Sequence, residues 1–126
     1  MKTLDLVFLY LGAALPALWG IAHLFPTQSV VRGFGEIGTD NTRIITMEWI
    51  IEGVALIFIG VLTASVTAIG PSGAVTGAVY SITAGCLIVL AIVSVFTGFR
   101  IHFLPFRLCP FIFGTSAALI LFGGVF

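Results

Sequence analysis

Residues 44–98 decide the fold, and they read IITMEWIIEGVALIFIGVLTASVTAIGPSGAVTGAVYSITAGCLIVLAIVSVFTG. Two long apolar runs, 44–69 and 74–98, flank the turn-forming residues 70–73. A hydrocarbon core about 30 Å thick needs roughly 20 apolar residues per helix, so each run is long enough to cross a bilayer. A connection as short as Gly-Pro-Ser-Gly joins helices that lie antiparallel. This stretch therefore predicts a transmembrane helical hairpin.

Two more apolar segments lie outside the hairpin, at about 4–25 and 105–126. The first is similar to a signal peptide, but no small-x-small cleavage site follows it, so we interpret it as a retained span. Pro16 should kink this span, which is tolerated in lipid when neighbouring helices cover the freed carbonyl. Pro105 suits the first turn of a helix, and Pro110 either bends the fourth span or marks its start.

The composition excludes an ordinary soluble domain. The chain has 126 residues, of which 60% are hydrophobic and only 8% charged, whereas soluble domains carry about a quarter charged residues. We predict an all-α polytopic integral membrane protein in which residues 1–126 form one domain, an up-down-up-down bundle of four transmembrane helices in contact with the lipid bilayer. The amphipathic segment 26–43 should lie on the membrane surface as a loop or short helix. Since the net charge is zero and no basic run is present, no nucleic-acid partner is expected.

The arginines predict the orientation. The side that holds both termini carries only Lys2, whereas the side with the connections 26–43 and 99–104 carries Arg32, Arg43, Arg100 and Arg107. The positive-inside rule places these two connections in the cytoplasm and both termini outside. We expect this arrangement in a bacterial or archaeal cell membrane.

Small residues recur at every fourth position of the third span, at Gly73, Gly77, Ser81 and Gly85. In lipid, such residues let helix backbones approach closely. Two interpretations follow. The small residues pack inside a single four-helix bundle, or they contact another membrane protein subunit or a second copy of the chain.

Ionisable side chains gather at one end of the predicted bundle. The set is His23, Glu48, Glu52, Arg100, His102 and Arg107, with Trp49 among them. Glu52 lies roughly 12 Å beyond Ile44 along the helix axis, inside the hydrocarbon. A charged side chain there costs at least about 2.5–3.5 kcal/mol, so Glu52 should face the bundle interior and have a partner. By topology, Arg100 and Arg107 are the nearest cations.

Three kinds of site fit this cluster. One is a structural network of ion pairs that fixes helix register. Another is a pocket for a small ligand, a quinone or a lipid headgroup, lined by His23, Trp49, Glu52, His102 and the arginines. The third is a divalent metal site made from His23, Glu48, Glu52 and His102, since imidazole and carboxylate suit Zn, Fe or Mn.

Other motifs in the chain predict little chemistry. Residues 33–38 match GxGxxG, but the dinucleotide fingerprint needs a preceding strand. Cys86 and Cys109 form no CxxC pair, and we interpret both as unreactive.

The leading function is an accessory subunit of a larger membrane complex. The alternatives are an oxidoreductase component that binds quinone or metal and a dimeric transporter of small solutes or protons. Whether the chain is an enzyme stays open.

Two segments are similar to the DoxX/DoxD-like group of small four-helix membrane proteins. They are Glu52-Gly-Val-Ala-Leu-Ile-Phe-Ile-Gly-Val-Leu62 in span two and Gly20-Ile-Ala-His23 at the end of span one. The resemblance implies a membrane subunit linked to redox chemistry, in some members the oxidation of thiosulfate by quinone. Glu52 and His23 are the positions that carry over. The long glycine-rich first connection departs from the pattern of the group.

Overall fold

A computed structural model describes residues 1–126, which form five helices and no strands. The helices are α1 (Thr3–Leu24), α2 (Thr27–Gly33), α3 (Thr39–Ile69), α4 (Ala74–Thr97) and α5 (Leu104–Gly124). All except α2 are long and apolar enough to cross a membrane. The predicted all-α, four-helix membrane bundle is confirmed.

Helix boundaries follow local chemistry. The ends of α1, α4 and α5 lie within two residues of the predicted spans. Pro105 occupies the first turn of α5. Backbone N–H groups in the first turn have no partner within the helix, so the N–H that proline lacks costs no hydrogen bond there. By contrast, α3 begins five residues before 44, directly after Gly38, which has a positive φ of 81°. At 31 residues, α3 is about 46 Å long, so its polar first turns extend beyond the hydrocarbon.

The N-terminal helix α1 is central, because it packs along α3 on one side and α5 on the other. Glycines permit both contacts. A Cβ atom on Gly20 would lie 2.6 Å from the carbonyl oxygen of Gly53, and one on Gly12 would lie 2.8 Å from the Ile120 side chain. The Ser116 hydroxyl, buried in α5, donates a hydrogen bond to the Gly12 carbonyl. Both helix pairs are antiparallel.

The predicted hairpin partners α3 and α4 contact each other little, and α4 packs instead on α5. Near the turn between them, the hydroxyls of Thr67 and Tyr80 are hydrogen-bonded at 2.8 Å. Towards the other end a groove separates the two helices. The core draws on all four long helices and comprises Leu9, Leu56, Tyr80, Ala84, Leu87, Phe113, Ala117 and Ile120.

The small residues of the third span do not pack inside the bundle, so that interpretation is wrong. Nothing lies within 4 Å of the Cβ positions of Gly73, Gly77 and Gly85, and Ser81 is exposed. The four-residue spacing is real, but the row of small residues lies on the outer surface of α4. The close helix contacts use glycines of α1, α3 and α5 instead, namely Gly12, Gly20, Gly53, Gly60 and Gly123.

Candidate functional site

The site forms where α1 ends. The last carbonyls of a helix have no partner within the helix, and Pro26, which follows α1, has no N–H to donate. Two side chains supply the missing donors. The indole Nε1 of Trp49 donates to the carbonyl oxygen of His23 at 2.8 Å, and the Thr27 hydroxyl donates to that of Leu24 at 2.6 Å. Trp49 therefore ties the end of α1 to α3.

Trp49 also fixes the imidazole ring of His23. The two rings stack with their centroids 3.7 Å apart and their planes at 15°. Phe106 of α5 meets the other side of the cluster, with its ring edge-on to Trp49 at 5.8 Å. Aromatic rings prefer such offset and edge-to-face geometries. The imidazole is thus oriented by Trp49 of α3, whose own ring is contacted by Phe106 of α5.

Glu52 lies three residues after Trp49, and residues at this spacing share a helix face. Its Oε2 atom is 3.5 Å from the Nε2 atom of His23. The His23 side chain is only 9% exposed, whereas that of Glu52 is 51% exposed. Nε2 of His23 is buried and makes no hydrogen bond. A buried polar atom left without a partner costs about 1–3 kcal/mol, so an incoming oxygen or N–H group would be stabilised here.

His23 and Glu52 line a cavity of about 180 Å³. An engineered cavity of about 150 Å³ is large enough to bind benzene, so this one has room for a single six-membered ring. Its walls are mainly aromatic and aliphatic, and they come from α1, α2, α3, α5 and the α4–α5 connection. The lining residues are Trp19, Ala22, His23, Pro26, Val30, Trp49, Glu52, Phe103, Pro105, Phe106 and Cys109. We call this cavity the His23 pocket.

A second cavity, of about 400 Å³, lies in the groove between α3 and α4. Glu48 is exposed on α3 and lines this groove rather than the His23 pocket. Trp49 and Glu52 line both cavities. The full lining is Ile45, Glu48, Trp49, Ile51, Glu52, Ala55, Leu56 and Leu90. We call this cavity the α3–α4 groove.

The predicted arginine partners do not reach the acids. Arg100 and His102 are exposed in the connection between α4 and α5, and Arg107 donates from Nε to the carbonyl oxygen of Ile101 at 3.0 Å. The one contact between basic and acidic side chains joins His23 to Glu52 at 3.5 Å, and it is an ion pair when the imidazole is protonated. The expected pairing of these arginines with the glutamates is therefore wrong, because Arg100 stays exposed and Arg107 bonds to the backbone of the α4–α5 connection.

The predicted metal ligands are not brought together either. His23 and Glu52 meet, but Glu48 lies in the α3–α4 groove and His102 is exposed on the α4–α5 connection. No three His, Cys, Asp or Glu side chains are close enough to one another to hold a metal ion. The four-residue ligand set is thus not assembled. Of the predicted cluster, the structure unites His23, Trp49 and Glu52.

Several pocket residues had no functional prediction. Cys109 lines the His23 pocket, and its thiol donates to the carbonyl oxygen of Pro105 at 3.4 Å. A helix that begins near Pro105 places Pro105 and Cys109 on one face, which was the available signal. Trp19 and Phe106 were hidden among many aromatic residues typical of membrane interfaces.

Comparisons with family models, with curated proteins and with solved structures give no match. The chemical capacity of the site follows from its own geometry. It offers one imidazole nitrogen without a partner, one carboxyl group beside it, and aromatic walls around a space the size of one ring.

Proposed function

We propose that this membrane protein binds the ring of a lipid-soluble compound of the quinone class in the His23 pocket. The observation that carries the proposal is the Nε2 atom of His23, which is buried and makes no hydrogen bond, on a residue that lines a cavity with room for one ring. A quinone is a flat ring that bears carbonyl oxygens. Its ring fits aromatic walls, and one oxygen accepts a hydrogen bond from a protonated Nε2.

Glu52 adds a route for protons. Reduction of a quinone takes up protons with the electrons, and Glu52 lies beside His23 with half of its side chain exposed. A carboxyl group in this position passes a proton to the imidazole, which holds it at Nε2. The electrons come from a partner subunit in this proposal. By the positive-inside rule, the pocket lies near the cytoplasmic face of a bacterial or archaeal cell membrane.

Quenching of tryptophan fluorescence tests the proposal directly. The chain has two tryptophans, and both line the His23 pocket. A tail-less benzoquinone titrated into protein in lipid nanodiscs should quench the emission along a saturable curve. His23→Ala should weaken binding about tenfold, the effect of losing about 1.4 kcal/mol. His102→Ala removes the other, exposed histidine and should leave the affinity unchanged.

A purely collisional result would refute the proposal. In that case quenching would rise without saturation and would be equal in the wild type and in His23→Ala. Saturable binding that His102→Ala weakens as much as His23→Ala does would also contradict it, because the unpartnered nitrogen would then not be the donor.

A role as a subunit of a larger assembly is the second candidate, and the outer surface of α4 favours it. Gly77 and Gly85 leave open space on this surface, and small residues there allow another transmembrane helix to approach closely. Native mass spectrometry of gently solubilised protein should show a partner or a second copy, lost in Gly77→Leu and Gly85→Leu. Gly114→Leu is the matched control, since Gly114 is an equally open helical glycine on α5. A monomer without partners in the wild type would contradict this role.

A further inference from the structure

The α3–α4 groove is formed by the way the two helices diverge. They contact each other at the turn end, where Thr67 and Tyr80 are hydrogen-bonded, and little elsewhere. The groove lining on α3 runs from Ile45 to Leu56, which is about 16 Å along the axis. Leu90 of α4 forms the facing wall. Apart from Trp49 and the two carboxyl groups, the lining is aliphatic.

The groove and the His23 pocket share a boundary. Trp49 and Glu52 line both cavities, so the same side chains that face the imidazole also face the groove. Glu52 is half exposed, and it is the more flexible part of this shared wall, because Trp49 is stacked on His23 and hydrogen-bonded to its carbonyl. A molecule in the groove therefore lies against the same Trp49 and Glu52 side chains that border His23.

The opposite side of the pocket is bordered by apolar side chains. Val30 of α2, Phe103 of the α4–α5 connection and Phe106 of α5 line both the His23 pocket and a surface cavity beneath α2. A polar solute entering from water would have to pass between these apolar side chains. The groove side is bordered by Trp49 and Glu52, and it opens between two membrane-spanning helices, where a lipid-soluble compound is already dissolved.

We propose that the ligand of the His23 pocket carries a long apolar tail that lies in the α3–α4 groove, and that the ring enters the pocket sideways from the bilayer past Glu52. This inference rests on the proposed function and specifies the ligand class, a ring joined to a hydrocarbon chain. The ring contacts His23 and Trp49, and the chain lies against Ala55 and Leu90. Binding of the tail then adds affinity that a bare ring lacks.

Filling the groove tests the inference. In nanodiscs, tail-less benzoquinone and its decyl derivative are titrated into the wild type and into Ala55→Phe, with ligand expressed as mole fraction in lipid. The wild type should bind the decyl compound more tightly than the bare ring. Ala55→Phe should weaken the decyl compound about tenfold and the bare ring by less than about twofold. Leu90→Phe, from the facing wall, should give the same selective loss.

Ala68→Phe is the matched control, because Ala68 is also exposed on α3 and lies outside the groove. It should leave both affinities unchanged. Equal weakening of both compounds by Ala55→Phe and Leu90→Phe, or no weakening of either, would overturn the groove as the site of the tail. Equal affinity of the wild type for the two compounds would also overturn it. Failure of the wild type to bind the bare ring would instead refute the proposed function.

Discussion

Gly20→Ala tests the helix contact that builds the site. The added Cβ atom would lie 2.6 Å from the Gly53 carbonyl oxygen and 2.9 Å from the backbone nitrogen of Ile57. Both atoms belong to the backbone, so no side chain can turn away to relieve the clash. Restoring the ordinary contact of 3.4 Å requires α1 and α3 to separate by about 0.8 Å at this point. His23 lies one turn further along α1 and would move away from its α3 partners.

Forcing a methyl group into a packed contact costs about 1–3 kcal/mol. Replacing glycine by alanine inside a helix also stabilises that helix by up to about 1 kcal/mol. A control variant with the same gain is therefore needed to isolate the cost of the clash. Gly85→Ala on α4 serves this purpose, because nothing lies within 4 Å of its Cβ position. Relative to Gly85→Ala, Gly20→Ala should be less stable by about 1–3 kcal/mol.

Unfolding in mixed micelles with increasing SDS, followed by far-UV circular dichroism, measures this difference. The emission of Trp49 should change as well in Gly20→Ala, because the separation of the helices loosens its stack with His23. Equal stability of the two variants, with native tryptophan emission in both, would show that α1 and α3 do not approach at Gly20. The geometry of the His23 pocket would then lose its support.

Four further predictions concern other parts of the chain. Glu52→Gln should weaken benzoquinone binding about fivefold, or about 1 kcal/mol, measured by fluorescence quenching, with Glu48→Gln as the near-silent control. Tyr80→Phe should lower the free energy of unfolding by about 0.6 kcal/mol, the mean for a hydrogen bond between membrane helices, in the same SDS assay. Bound benzoquinone should slow the modification of Cys109 by N-ethylmaleimide without protecting Cys86, as followed by peptide mass spectrometry. In intact cells an impermeant thiol reagent should not label Gly35→Cys, and labelling from outside would reverse the proposed orientation.

The helices could be predicted from the sequence because hydrocarbon thickness sets a minimum apolar length. Their order in space could not. The short turn at 70–73 makes α3 and α4 neighbours in sequence, but packing depends on which faces let backbones approach. Gly20 and Gly53 meet, whereas Gly77 and Gly85 face outward. The spacing of glycines in the sequence does not distinguish the buried pair from the outward-facing pair, since all four residues are small and lie on apolar helices.

The site was predictable in part for a similar reason. The free-energy cost of placing a carboxylate in the hydrocarbon indicates that Glu52 needs a partner. The up-down-up-down order of the helices places His23 at the same depth. The prediction failed for Arg100, because an exposed connection lets a long cationic side chain stay in water. The bond from Trp49 to the His23 carbonyl depends on where α1 ends, and a one-residue shift would remove it.

The central position of α1 has a consequence for assembly. Each half of the chain, α1–α3 and α4–α5, carries its own main interface, while α3 and α4 contribute little across the turn. Transmembrane helices are stable individually in lipid before they associate. Two fragments produced by a break at Ser72 therefore each retain a helix pair. They should complement one another when co-expressed, by rejoining along the seam between α1 and α5.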